Sequence, residues 1–411
     1  MKILNFGSCN IDYVYSLEHI VVPGETLAAR KREVFPGGKG LNQSGAAARA
    51  GAKVWHAGVI GRDGQLLRTV LAGSGADTRY LKEDDSPNGH AVIQVAANAQ
   101  NSIFLFEGTN GMVTRQLIEE VLADFGPGDI LLLQNEISNV PYLIRRGFEK
   151  GMMVVFNPAP FAESLKKLDL SRIHTMILNE VEAAGFFGTE DLDAILHRAA
   201  DLQVRLVITL GKQGCVYVGG SQVLRCPAFR VEAVDTTAAG DTFTGYYVAG
   251  MARGLETGKL LRTCCAASAL AVSAMGAAPS IPTADRVEAA LNTLQPAREI
   301  PGVEAAVMAY CAAHLTDGSL AGLAESLGYS QGYTASLVKK HMGQTFGQLL
   351  QQQRCREAAR LLRETDLPVE SVIQAVGYRN QSFFRRAFAG LYGRTPLQFR
   401  KNILGGTEHD Q

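Results

Sequence analysis

Short apolar runs bounded by polar residues recur through the first two thirds of the chain, with helically spaced apolar positions between them. Residues 1–10, 130–134, 154–156, 176–178 and 206–210 are apolar almost throughout, which predicts strands buried on both faces. HAVIQVA and SIFLFEG, between His90 and Gly108, alternate instead, and with residues 24–35 they predict hairpin strands that form a small lid. Residues 44–50, 246–251 and 260–275 carry helical spacing. Strands alternating with helices as far as Pro282 predict an α/β fold with helices on both sheet faces. After the Pro-bounded stretch 295–302 the pattern changes to helices only, at 303–314, 320–327, 333–342, 346–364, 369–376 and 381–392. Tight turns at Gly328-Tyr329-Ser330 and Gly377-Tyr378 make two helix-turn-helix units of them. The expected domains are therefore 1–295 and 303–401, with a linker at 296–302 and a flexible tail at 402–411.

Composition narrows the class. A hydrophobic share of 46% against 19% charged residues excludes a disordered chain. The zero net charge hides a split: residues 298–411 hold 13 Lys and Arg against 10 Asp and Glu. The basic residues there cluster, at 354, 356, 360 and 363 and again from 379 to 401, and point to an anionic partner. Seven cysteines without a CxxC pair predict reduced, mostly buried thiols in a cytoplasmic protein. The N-terminal residues lack the apolar core of a secretion signal, and the longest apolar run, 264–278, is too short to span a bilayer, so no membrane partner is expected.

The stretch with the most chemistry in it is Asp235-Thr236-Thr237-Ala238-Ala239-Gly240-Asp241-Thr242-Phe243-Thr244-Gly245. Small residues precede Asp241 and an apolar helical run follows, so a helix starting here offers free backbone N–H groups to an anion. An anion hole beside a carboxylate suits phosphoryl transfer: the amides hold charge developing on phosphate, and the carboxylate takes the attacking hydroxyl's proton. An ordinary capped helix, with Asp241 there for the helix dipole, is the structural alternative. Upstream, Phe35-Pro36-Gly37-Gly38-Lys39-Gly40-Leu41-Asn42-Gln43 pairs glycines that admit close backbone approach with Lys39 and Asn42, which reach hydroxyl groups. Its spacing is not that of a Walker A loop. Asn10 and Asp12 follow the first strand, at the end where open α/β sheets bind ligands, and serve either sugar hydroxyls or a turn.

DTTAAGDTFTG closely resembles the second signature of the PfkB/ribokinase family of sugar kinases, and the 35–43 stretch, continued through Gly51-Ala52 and 58–64, resembles the first. The resemblance covers nearly all of residues 1–295. It implies a ribokinase-like α/β/α sandwich with a small β lid, and ATP-dependent phosphorylation of a sugar hydroxyl. Ribose to ribose 5-phosphate is the first expectation, with a nucleoside or ketose as the alternative. By resemblance Asp241 is the catalytic base, and the backbone of Ala238, Ala239 and Gly240 is the anion hole. Asn10, Asp12, Gly38, Lys39, Asn42 and Glu136 join Asp241 in holding the sugar, with a surface acid as the alternative for Glu136. Asn179, Thr209, Gly211, Gly214 and Gly240 border the nucleotide. Asn179 and Glu182, from an NxxE motif, help place Mg²⁺, which prefers oxygen ligands. Asp235, Thr237, Ala271, Ala274, Gly276 and Ser280 ring a monovalent cation, K⁺, for which plain loop closure is the alternative. The family also implies a lid-mediated homodimer.

Paired helix-turn-helix units are intelligible as DNA readers, each second helix entering a major groove. LGYS, GQTFGQLLQQQRCREAARLLRETDLPV and VGYRNQSFFRRAFAGLYGRTPLQFR resemble the AraC/XylS family of transcription regulators across about 303–401. That resemblance places Gln331, Tyr333, Thr334 and Ser336 on one recognition helix and Asn380, Gln381, Ser382 and Arg385 on the other, with double-stranded DNA as partner. Ser371-Val372-Ile373-Gln374-Ala375 departs from the usual Ile-Ala pair, which is expected to loosen the second unit. Two functions from different classes follow: an active sugar kinase fused to a DNA-binding module, or a regulator whose kinase fold only senses sugar and nucleotide.

Overall fold

The computed structural model describes residues 1–98, 100–202, 204–220, 222–294, 297, 303–327, 331–378 and 380–404, with the backbone alone for 325, 333 and 402–404. Most of the expected linker, the turn Gly328-Tyr329-Ser330, Arg379 and the tail from 405 lie outside the described residues. Contacts divide the chain into two units, Met1–Arg298 and Glu299–Gln411. No helix among the described residues is long and apolar enough to cross a membrane.

The strands of the first unit are β1 (Ile3–Phe6), β2 (Asn10–Ser16), β3 (Lys31–Gly37), β4 (Val54–Gly61), β5 (Asp77–Asp84), β6 (His90–Val95), β7 (Asn101–Phe106), β8 (Ile130–Gln134), β9 (Met153–Asn157), β10 (Thr175–Asn179), β11 (Arg205–Thr209), β12 (Cys215–Gly219) and β13 (Gln222–Cys226). Its helices are α1 (Lys39–Arg49), α2 (Gln65–Gly73), α3 (Arg115–Leu122), α4 (Val140–Glu149), α5 (Glu180–Phe187), α6 (Leu192–Asp201), α7 (Ala239–Ala252), α8 (Thr257–Val272) and α9 (Ala284–Leu291). One sheet runs β13-β12-β11-β10-β9-β8-β1-β4-β5. It is parallel from β5 to β11 and ends in the antiparallel hairpin β12–β13.

Apolar strands this uniform still sort their side chains by the two-residue pleat. Ile3, Ile130, Leu132, Val155 and Val207 pack with residues of α1, α7 and α8 on one face. Leu4, Phe6, Leu131, Leu133 and Phe156 pack with α3, α4, α5 and α6 on the other. The result is the expected α/β/α sandwich. Chain order reverses around β1, which lies between β4 and β8, and the carboxyl strand ends there open the crevice typical of such sheets.

A second sheet, β3-β2-β6-β7, is the lid. Its composition differs from the expectation in one respect. Asn10 and Asp12 do not end the first strand: the chain breaks at Gly7-Ser8-Cys9 and restarts as β2 within the lid. The break lets Gly7 meet Gly40 so closely that a Cβ on Gly7 would stand 2.5 Å from the Gly40 Cα. The first helix also starts earlier than 44, at Lys39, because Gly38 turns the chain into it at φ 92°. α8 likewise lies three residues earlier than the spacing suggested.

The second unit holds α10 (Val303–Ala313), α11 (Leu320–Leu327), α12 (Gln331–Met342), α13 (Phe346–Glu364), α14 (Val369–Ala375), α15 (Gln381–Tyr392) and α16 (Pro396–Leu404). α13 joins two cores, giving Phe346, Leu349 and Leu350 to the first and Cys355, Ala358 and Leu362 to the second. Val372 and Ile373 are both fully buried in the second, so the departure at 371–375 leaves that core closed.

Candidate active site

Asp241 is the third residue of α7 and is buried. Its two carboxylate oxygens accept from the Asn42 amide at 3.0 Å and the Gln43 amide at 2.9 Å, both on α1. Ala238 caps α7 at φ 59°, a left-handed conformation that costs a residue with a Cβ about 1–2 kcal/mol. Strain of this kind gathers at functional sites. Behind that turn the amides of Gly240 and Asp241 donate to no described group, so the helix presents free N–H groups beside a carboxylate.

The residues expected to hold the sugar meet here from three elements. β8 ends at Gln134, and two residues on Glu136 accepts from the Lys39 amide at 3.0 Å and from the Ser8 hydroxyl. It is half-buried within the site, and burial raises its carboxyl despite the Lys39 charge and these hydrogen bonds. Asn10 accepts from Asn110 at 2.7 Å, while Asp12 lies against Gly37, where any Cβ would collide with its carboxylate. Burial first, then the charges of Glu136 and Asp241, push Asp12 up to about 7. Burial pulls the Lys39 ammonium down, but the carboxylates of Asp241, Glu136 and Glu182 outweigh it and leave it raised. The side-chain oxygen of buried Asn42 accepts from none of the described residues, and a sugar hydroxyl would suit it as donor.

A cavity of about 460 Å³ adjoins the start of α7. Thr209, Gly211, Gly214 and Gly240, four of the five expected nucleotide residues, line it, together with Lys212 and Arg230. The fifth, Asn179, is outside this lining and forms a capping box on α5: it accepts from the Glu182 amide at 2.7 Å, and Glu182 accepts from the Asn179 amide at 3.0 Å. Burial raises Glu182, and its second oxygen accepts nothing from the described residues. Asp235 ties the loop before α7 to the one after α8, accepting from the Thr237 amide and hydroxyl and, at 2.9 Å, from the Gly276 amide. Burial pushes it up, but these bonds outweigh burial and lower it. Buried Ser280 donates to the Ala277 carbonyl, and the Ala271 carbonyl accepts from the Ala274 amide.

Several members of the site escaped the sequence reading. Gln43 donates to both Asp241 and Asn157, each at 2.9 Å, and accepts from Gln134 at 2.7 Å. Gln134 also donates to Asn5, Asn5 to Ser44, and Ser44 bonds His56 at 2.8 Å. The signal was there: Asn5 in ILNF and Gln134 in ILLLQ are lone polar residues in buried strands. Burial holds the His56 imidazolium down to about 4, so a neutral ring stands between Ser44 and, at 3.3 Å, the Cys9 sulfur.

In the second unit Gln331, Ser336, Gln381, Ser382 and Arg385 are exposed, as a DNA contact requires. Thr334 corrects the expectation: it is fully buried, one helical turn from buried Val338, and faces the core. Asn380 is the N-cap of α15, accepting from the Phe383 amide at 3.0 Å, so its oxygen is committed to the helix. Arg385 pairs loosely with Glu370 at 3.4 Å, and the Tyr333 side chain lies outside the described residues.

Known proteins repeat both halves. The profile of the pfkB family carbohydrate kinases matches residues 1–284, and that of a helix-turn-helix domain matches residues 323–402. The ribokinase of Haemophilus influenzae is 37% identical over 294 residues, 67% of this chain and 94% of its own. The crystal structure of ribokinase from Cryptococcus neoformans in complex with ADP aligns with a TM-score of 0.62 at 33% identity, over 70% of this chain and 99% of that one. The Arabidopsis thaliana ribokinase complexed with ribose and ATP aligns with a TM-score of 0.62 at 28% identity, over 70% and 98%. The chain belongs to the pfkB family of carbohydrate kinases, as an ATP-dependent sugar kinase that carries an AraC-type helix-turn-helix domain.

Proposed function

We propose that the kinase phosphorylates ribose to ribose 5-phosphate, and that residues 303–401 bind double-stranded DNA and regulate transcription in response. The observation that carries the catalytic reading is the pairing of buried Asp241 with the unpartnered amides of Gly240 and Asp241, between the sugar residues and the nucleotide cavity. Asn42 and Gln43 hold the carboxylate, which takes the hydroxyl proton as the sugar oxygen attacks the γ-phosphorus. The amides of Gly240 and Asp241 bear the charge that develops on the transferring phosphoryl group, while the Ala239 amide donates to the Thr236 carbonyl at 3.3 Å. Asn10, Asp12, Gly38, Lys39, Asn42 and Glu136 orient the sugar, a set similar to that of the ribokinases.

Glu182, with an oxygen to spare, and Asn179 suit Mg²⁺, which supplies charge neutralisation to the phosphates when bound. The Asp235 loop, with Thr237, the backbone of Ala271, Ala274 and Gly276, and Ser280, offers the oxygen-only set that suits K⁺. For the dimer the support is on the lid: Ile103, Phe104, Leu105 and Phe106 of β7, at the edge of its sheet, are each about half exposed.

The test measures ADP formed from ATP and Mg²⁺ with a panel of pentoses, hexoses and nucleosides, with and without K⁺. Ribose is expected to turn over best, with kcat falling about 10²- to 10⁴-fold in Asp241→Asn. A chain that turns over nothing, yet melts higher with ribose, would make the kinase fold a sensor.

A further inference from the structure

Cys215, Cys226 and Cys265 bring three sulfurs within 4.8 Å of one another, and the phosphoryl transfer derived above uses none of them. Their origins are separate. Cys215 opens β12 and Cys226 closes β13, paired in register across the hairpin, while Cys265 comes from the middle of α8. The sulfurs of Cys215 and Cys265 stand 3.7 Å apart. That is far from a disulfide bond of about 2.05 Å. It matches the ~3.8 Å between two sulfurs that share one tetrahedral ion at about 2.3 Å each. Cys215 and Cys265 are buried, and Cys226 is partly buried beside them. Cys265 also lines the nucleotide cavity, as does Gly214, the neighbour of Cys215.

We infer that these three cysteines form a site for a thiophilic d¹⁰ divalent cation such as Zn²⁺ or Cd²⁺, linked to occupancy of the nucleotide cavity. The three sulfurs bind as thiolates, and the protons they carry pass to solvent as the ion binds. The resulting single negative charge lies beside the Arg262 guanidinium, one turn before Cys265 on α8. Linkage follows from shared walls. The ion draws the β12–β13 hairpin toward α8, and α8 supplies Ser268 and Ala269 to the same cavity. A ligand that prefers one spacing of that wall then changes affinity for the other, reciprocally.

The test takes the full chain, reduced and stripped with a chelator, and titrates it with Cd²⁺ alone. Expected are one ion per chain, sulfur-to-cadmium charge-transfer absorption and the proton release, all lost in Cys226→Ser and kept in Cys311→Ala. An unchanged melting temperature without the ion shows Cys226→Ser to be folded, and Cys215→Ser gives an independent loss. Saturating Cd²⁺ is also expected to shift the Kd for adenosine, which has no phosphate to chelate the ion, by about fivefold or more. The Kd for ribose stays the same. No stoichiometric uptake, a band that survives both serine variants, or an adenosine affinity indifferent to the ion overturns the inference.

Discussion

Asp241 depends on Gln43, whose own side-chain hydrogen bonds are fully committed. Gln43 gives one amide proton to Asp241 and the other to Asn157, and its oxygen is taken by Gln134. Gln43→Leu keeps the size and takes one hydrogen bond from each of Asp241, Asn157 and Gln134, at about 1–3 kcal/mol each. Expected are a lower melting temperature and a kcat reduced more than either KM, checked by calorimetry and steady-state kinetics. Asp12 makes a pH-dependent case. Its carboxyl sits at about 7, so between roughly pH 4 and 7 the folded chain keeps a proton that the unfolded chain has released. Folding therefore weakens as pH rises through that window. Asp12→Asn carries no such cost: it should melt higher than the native chain at pH 8, with the gain vanishing near pH 4. Its sugar KM should rise about 10- to 100-fold, since a charged acceptor is worth about 1.5–3 kcal/mol. A variant that melts lower at pH 8 refutes the assignment.

At the scale of elements the catalytic geometry reduces to how α1 and α7 touch. Gly245 is the contact: a Cβ there would stand 2.4 Å from the Ala46 Cβ and 2.7 Å from the Gln43 carbonyl oxygen. Gly245→Ala must push the helices apart, at about 1–3 kcal/mol for overpacking. It should lower kcat by loosening the Asp241–Gln43 bond, while ATP affinity changes little because the cavity lies elsewhere on α7. Unchanged kcat in a destabilised variant would separate packing from catalysis. The helices and buried strands were legible in the sequence because an apolar run or a helical stripe is a local signal. The small residues around Asp241 were legible for the same reason. The Asn5–Gln134–Gln43 chain was not, since it joins β1, β8 and α1, and only the fold makes neighbours of them. Nor was the transfer of Asn10 and Asp12 to the lid, which turns on the backbone contact of Gly7 with Gly40. Thr334 was legible in principle: it sits four residues before Val338, on the stripe a helix buries.

For the molecule as a whole the question is which basic residues meet DNA and whether sugar changes that meeting. Clustered arginines in the sequence overstate the charge on offer. Arg360 is held by Glu357 at 2.7 Å and by Glu364, while Arg354 donates to the Leu315 carbonyl and lies over the Tyr378 ring. Both serve the fold of the second unit. Arg386, exposed on α15 beside Gln381 and Ser382, pairs with no acid among the described residues. Each phosphate contact contributes about 0.9 to the slope of log affinity against log salt. Arg386→Ala should therefore lower that slope by about one for any duplex, whereas Arg360→Ala should leave it unchanged and cost stability instead. Equal slopes for both variants would place the DNA surface elsewhere. Sugar enters through linkage: if ribose with a non-hydrolysable ATP analogue changes the DNA Kd of the full chain by some factor, DNA must change ribose affinity by the same factor. We expect a factor of about 5 or more in fluorescence-anisotropy titrations, and its loss in Asp12→Asn at sugar concentrations that no longer saturate. A DNA Kd indifferent to sugar and nucleotide would mean that the kinase and the DNA-binding unit share a chain without sharing a signal.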